Sequence, residues 1–119
     1  MGFTLAAKQT MLDYLGDNFI DEVSLHNGAP GETGTNEISG GSPAYARKAV
    51  TFNAASSDNK TFTASLVFDV PGSTTVSYVG FWGGSPSTFQ GWDQLTTPEV
   101  FGSQGTFTLD VTSRLRISD

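Results

Sequence analysis

Thr61-Phe-Thr-Ala-Ser-Leu-Val-Phe-Asp-Val70 decides the fold: Phe62, Ala64, Leu66, Phe68 and Val70 take every even position, while Thr61, Thr63, Ser65 and Asp69 hold odd ones. A period of two marks a strand with one dry and one wet face. Pro71-Gly72 ends it in a turn. Downstream, Thr74–Trp82 is apolar on both faces, Val76, Tyr78 and Trp82 against Val79 and Phe81, so it belongs in mid-sheet beneath a cover that an amphipathic helix could supply. Gly83-Gly84-Ser85-Pro86 turns the chain, and Phe89–Leu95 reads as a strand that Thr97-Pro98 breaks. Thr106–Ile117 places Phe107, Leu109, Val111, Leu115 and Ile117 on one side, with a bend at Thr112-Ser113. Upstream, Glu22–His26 alternates around Val23 and Leu25, and Ala46–Phe52 around Val50 and Phe52. The intervening 27–43 carries five Gly and two Pro, too many for a helix and too long for a hairpin turn, and reads as an extended surface loop.

The first twenty residues follow a different period. Thr4 can cap a helix, and Leu5, Lys8, Leu12, Leu15 and Phe19 recur at steps of three or four, with Met11 beside them. Gly16 then stands where a helix C-terminus favours positive φ. The reading is a helix over Thr4–Leu15, too short to persist alone, that docks on its own sheet or on a neighbouring subunit. The chain thus divides into an amphipathic helical segment, 1–20, and a β domain, 21–119, containing the loop 27–43. Strands at this spacing without crossover helices indicate an antiparallel sandwich or barrel.

A length of 119 residues suits one domain. Twelve acidic against six basic side chains leave a net charge of -6, which opposes nucleic-acid binding because a duplex partner needs a positive footprint. Without Cys there is no disulfide framework and no thiolate nucleophile. Lys8, Gln9, Asp13 and Asp17 interrupt the opening stretch, so it reads neither as a secretory signal nor as a membrane span.

Reactive groups are sparse. Ser24 and His26, two apart in a strand, share a face, but no orienting acid, oxyanion hole or G-x-S-x-G elbow accompanies them, and His26 reads as a partly exposed strand histidine. Asp93 beside Trp92 is the most suggestive carboxylate for glycoside hydrolysis, yet it sits near a strand end. Glu32, Asn36 and Glu37 offer oxygen ligands without EF-hand spacing. Gly40-Gly41 and Gly83-Gly84 lack the Lys-Ser/Thr that a phosphate cradle needs. The expectation is a protein that is not an enzyme, binds no cofactor or metal, and works by shape and contact. An alternative, a carbohydrate- or receptor-binding module, is motivated by Tyr78, Trp82, Phe89 and Trp92, with Trp82 and Trp92 as the contact residues.

One block adds a likeness. Val23–His26 (VSLH), Asn36–Arg47 (NEISGGSPAYAR), Ala49–Phe52 (AVTF), Ser77–Trp82 (SYVGFW) and Thr106-Phe107 resemble small structural proteins of tailed bacteriophages, especially those of actinobacterial hosts, of the tail-fibre or minor-tail type. The resemblance implies an all-β virion protein, an antiparallel β-sandwich of immunoglobulin-like or jelly-roll-like form with one short N-terminal α-helix. It is compatible with a tail location and with a capsid-decorating one, the protein being made in the host cytoplasm. The expected partners are other virion proteins and further copies of the chain in a trimer or higher ring; a host cell-surface glycan is the partner under the alternative that rests on the aromatic cluster. Leu12, Leu15 and Phe19 are the candidate anchor on the helix. Tyr45, with its apolar ring and polar tip, and Arg47, with its planar fork, are the candidate interface residues of the loop. Their alternative is internal: Tyr45 inside its own sandwich and Arg47 paired with Glu37.

Overall fold

A computed structural model describes residues 4–56, 59–110 and 114–116, the last three by their backbone. Thr4 caps the one helix among the described residues, as its spacing predicts, its hydroxyl accepting the Ala7 N–H at 3.2 Å. The helix, α1 (Leu5–Asn18), runs past Gly16 instead of ending there. The physical reason is proximity: a Cβ on Gly16 would lie 2.6 Å from Lys60 Cε, so the missing side chain makes room for a neighbour rather than for a turn. Leu12 is buried, whereas Leu5, Tyr14 and Phe19 are exposed.

The strands are β1 (Glu22–His26), β2 (Lys48–Ala49), β3 (Asn59–Thr61), β4 (Leu66–Val70), β5 (Thr74–Gly83), β6 (Thr88–Phe101), β7 (Gly105–Leu109) and β8 (Arg114–Arg116). They form an antiparallel four-stranded sheet in the order β2-β1-β5-β6 and two antiparallel pairs, β3-β8 and β4-β7. The molecule is therefore mostly β, with one short helix. β5 lies mid-sheet, as its two apolar faces require. Its cover is not α1, which rests on β3 and β8.

Two strand boundaries differ from the periodicity. Thr61–Val70 is not one strand: Phe62 bridges Phe52, Thr63 N–H reaches Thr51 O at 3.0 Å, and the chain bends before joining β7 as β4. The even-position rule survives the break at Phe62, Leu66, Phe68 and Val70, all buried, but not at Ala64, which is exposed. β6, in turn, continues through Pro98. The register steps from Val76↔Glu99 to Tyr78↔Gln94, so Leu95–Pro98 oppose Ser77 alone in a bulge. Proline lacks a ladder N–H and is tolerated at an edge strand or a bulge, and Pro98 has both. The same bulge blunts the open edge of β6 against stray pairing. Val111, Ile117 and the Thr112-Ser113 bend lie outside the described residues, as does the side chain of Leu115.

Val23 and Leu25 from β1, Val76, Val79 and Phe81 from β5, Leu66, Phe68 and Val70 from β4 and Phe107 from β7 join Leu12 in one core. Burying a side chain of this size stabilises by roughly 1.5–3 kcal/mol.

Candidate functional site

The register assigns each sheet residue to a face. Val23, Leu25, Val79 and Phe81 point into the core. Glu22, Ser24, His26, Tyr78, Gly80 and Trp82, with Phe89, Trp92 and Gln94 from β6, make up the other face. That outer face is where the polar and aromatic side chains gather, and segment 27–38 folds over part of it. Asn27 N–H reaches Asn36 O at 3.0 Å and Ile38 N–H reaches Leu25 O at 3.1 Å, so the segment substitutes for a strand beyond the short β2. It is thus less of a surface loop than its composition predicts: Pro30 and Ile38 are buried.

Beneath it, His26 is 0% exposed. This corrects the expectation of a partly exposed histidine, which overlooked the segment that caps the strand's second face. His26 Nδ1 lies 2.8 Å from Thr35 O and Nε2 lies 2.7 Å from Ser24 Oγ, which also accepts the Trp82 indole N–H at 2.8 Å. A carbonyl only accepts, so Nδ1 carries the proton and Nε2 accepts from the Ser24 hydroxyl. Burial lowers the His26 pKa below its ordinary value; the Thr35 hydrogen bond and the Glu37 charge oppose that, and Arg47 adds to it. Ser24 and His26 are close, as their spacing predicts, but both are buried and every polar atom is engaged. Gly80 permits this closeness, since a Cβ there would stand 2.5 Å from Ser24 Oγ and 2.7 Å from His26 Nε2.

A second cluster adjoins the first. Arg47 grips Glu37 with two hydrogen bonds, Nε to Oε2 at 3.0 Å and Nη2 to Oε1 at 2.9 Å, and its guanidinium lies 3.5 Å over the Trp82 ring. Tyr45 donates to Glu37 Oε2 at 2.8 Å and accepts the Leu25 N–H at 3.0 Å, while its ring stacks on Phe68. Burial pushes the Glu37 carboxyl up, but the Arg47 and Tyr45 hydrogen bonds outweigh it and hold the group below its usual range. Burial also pushes the Tyr45 phenol well up, so it stays a donor. Arg47 is raised by its bond to Glu37.

The structure brings Tyr45 and Arg47 together on Glu37, with Trp82 stacked beneath Arg47, and it leaves Trp92 apart. Trp92 is 48% exposed, edge-on to Tyr78 at 5.5 Å, on an open groove of about 320 Å³ lined by Gly31, Glu32, Phe89, Gln90 and Gly91. On α1, Leu12 faces the core, Leu15 is half-buried and Phe19 is exposed with its ring 5.4 Å from that of Tyr14. Glu32, Asn36 and Glu37 do not converge: Glu37 is held by Arg47, and Asn36 Nδ2 donates to Ala29 O at 3.0 Å. Among the described residues, no cluster of three or more His, Asp or Glu is placed to hold a metal, and no helix is long and apolar enough to cross a membrane.

Thr35 and Gly80 escaped the sequence reading. Gly80 carried a legible signal, since an isolated glycine inside an apolar strand marks a close approach. Thr35 carried none, because its role is a backbone carbonyl.

A family model described as Podophage GP4 fiber I protein gp80 matches residues 22–115, a span that begins with β1 and ends in β8. No curated protein and no solved structure matches the chain.

Proposed function

The chain belongs to the podophage fibre protein family whose model spans both clusters, and from that premise we propose that it is a tail-associated structural component of the virion, acting by shape and contact rather than by bond-making. The observation that carries this reading is the closure of block 23–50. His26, Glu37, Tyr45 and Arg47 satisfy one another or the backbone, and among the described residues no buried side-chain nitrogen or oxygen lacks a partner. Such a network maintains a surface. The scaffold it assumes is a β-sandwich, the four-stranded sheet facing the β4-β7 pair across one core. The narrower assignment, a minor tail protein of phages with actinobacterial hosts, rests on the motif likeness of residues 23–50.

Assembly in a trimer or higher ring with other virion proteins fits the exposed aromatic pair at the end of α1, Tyr14 and Phe19, whose rings lie 5.4 Å apart. Repetition around a symmetric particle lets many small contacts add. Deleting residues 1–20 is the wrong probe of this anchor, because it removes Leu12 from the core. Tyr14→Ser with Phe19→Ser leaves the core intact and should lower incorporation into particles. Imaging purified virions with a gold-labelled antibody against the chain tests the location: label on the tail supports the reading, and label over the head surface replaces it with capsid decoration.

A second reading, contact with a host cell-surface glycan, is favoured by the half-exposed Trp92 beside the carboxylate of Glu32 and the amide of Gln90. Trp92→Ala should abolish binding to host cell walls on this reading; an unchanged titration removes it.

A further inference from the structure

We propose that His26 is a proton-operated latch, holding segment 27–38 down on the outer sheet face at neutral pH and releasing it in mildly acidic solution. The latch is geometric. An indole N–H can only donate and a carbonyl can only accept. The chain from Trp82 Nε1 through Ser24 Oγ and the His26 ring to Thr35 O therefore runs in one direction, with steps of 2.8, 2.7 and 2.8 Å. That direction requires a neutral imidazole. A second proton turns Nε2 into a donor aimed at Ser24, whose hydroxyl then faces two donors, Nε2–H and the Trp82 N–H, and loses the acceptor it had in the ring. It also places a cation where Ser24 and His26 are both 0% exposed. An unpaired buried donor and an unsolvated charge are each costly. Water can relieve both when the segment bearing Thr35 lifts.

That segment is suited to lift by itself. Between the end of β1 at His26 and the start of β2 at Lys48 no residue belongs to a named strand. Its backbone is tied on either side of the His26–Glu37 bridge, by Asn27 N–H to Asn36 O where the chain leaves β1 and by Ile38 N–H to Leu25 O, and its side chains are held through Glu37 to Arg47 and Tyr45 and through Ile38 in the core, so these are the contacts that lifting must break. The Gly34 backbone sits against the Trp82 and Phe89 rings, so lifting uncovers both.

The charged and titratable groups facing His26 are Glu37 on the segment, Arg47 ahead of β2 and Tyr78, its registered partner on β5. Glu37 favours the imidazolium and Arg47 opposes it, and Arg47 already engages the Glu37 carboxylate. Burial dominates and lowers the pKa of the closed form. The lifted segment leaves His26 near the ordinary value of about 6.5 and so binds the proton more readily. The contribution of the neutral imidazole to closure is fully present above about pH 6.5. Below it the open population rises by up to about tenfold per pH unit, until the closed-form pKa is reached. Glu37, held below the usual carboxylate range, acts only at more acid pH, so the window above about pH 5 belongs to His26.

The test uses the full chain, whose single histidine gives an unambiguous imidazole signal. Amide hydrogen exchange, corrected for its intrinsic pH dependence, is followed at Asn27 and Ile38 and at Phe107 in β7 from pH 7.5 to 5, with the imidazole titrated by NMR. The latch requires protection at Asn27 and Ile38 to fall with pH while Phe107 holds, and the imidazole to titrate below 6.5 in step with that loss. An imidazole titrating at its ordinary value with protection unchanged overturns it, as does parallel loss at Phe107, which signals global unfolding. In a folded His26→Gln variant the pH dependence of Ile38 should disappear; its persistence assigns the effect elsewhere and overturns the latch. If that variant does not fold, the native titration decides.

Discussion

Lys60 passes its side chain beneath Gly16 to reach Asp13, Nζ to Oδ1 at 2.5 Å, with Asp17 at 3.3 Å. The Lys60 side chain is 0% exposed, whereas that of Asp13 is 43% exposed. An ion pair with one member inside and one at the surface joins α1 to β3, and two substitutions probe its two sides.

Gly16→Ala should destabilise, although alanine is the better helix former by about 1 kcal/mol. The new Cβ would meet Lys60 Cε at 2.6 Å, Cδ at 2.8 Å and Phe52 Cδ2 at 3.3 Å, and crowding of this kind costs roughly 1–3 kcal/mol. In a Lys60→Ala background the same change should become neutral or favourable, because the obstacle is gone. Urea denaturation of the four proteins measures the coupling; a higher urea midpoint for Gly16→Ala in the native background contradicts it.

Removing the two partners of the pair should not be equivalent. Asp13→Asn leaves a fully buried ammonium short of its main counter-charge, while Lys60→Met leaves a carboxylate that water can reach. Asp13→Asn should therefore lower Tm more at pH 7. The Lys60 hydrogen bond, helped by the Ala55 N–H, holds the Asp13 carboxyl below its ordinary value. A depressed acid contributes stability above its unfolded pKa and loses it as pH falls through the folded one. The Asp13→Asn penalty should shrink accordingly as a Tm series descends from pH 5 into stronger acid.

Arg47→Lys keeps the charge and loses the fork. Lysine cannot make both bonds to Glu37 while lying flat on Trp82, so a loss of about 1–2 kcal/mol is expected at this half-exposed site. Urea denaturation with Trp92→Phe as the background, leaving Trp82 the sole tryptophan, reads both the stability and the ring's environment when the indole is excited selectively. Identical emission and midpoint contradict the stacked assignment.

Tyr45→Phe should cost about 1–3 kcal/mol, more than loss of one surface hydrogen bond, because the phenol oxygen is the partner of the Leu25 N–H and that residue is 0% exposed. The ring stack on Phe68 is retained, so the loss isolates the hydroxyl. Chemical denaturation at pH 7 measures it.

Strand identity was written in alternation, and β1 and β5 emerge with nearly the bounds their side chains predict. The β6 boundary was not, because Pro98 is a breaker only where a neighbour needs its N–H, and the bulge opposite Ser77 removes that need. Of the outer-face clusters, the pairing of Ser24 with His26 and the option of Arg47 with Glu37 were legible from spacing and charge. The burial of His26 was not, since it depends on the carbonyl of Thr35, nine residues along the chain and chemically indistinguishable from any other.

What the sequence alone determined is local: a capped helix, strands of period two, and a composition poor in convergent reactive groups. These follow from interactions between residues a few positions apart, which spacing records directly. What only the tertiary structure decided is which surfaces remain free. Leu12 is spent in the core and Phe19 is not, and Trp82 lies under Arg47 while Trp92 faces solvent, because burial depends on distant segments that meet only when the chain has folded.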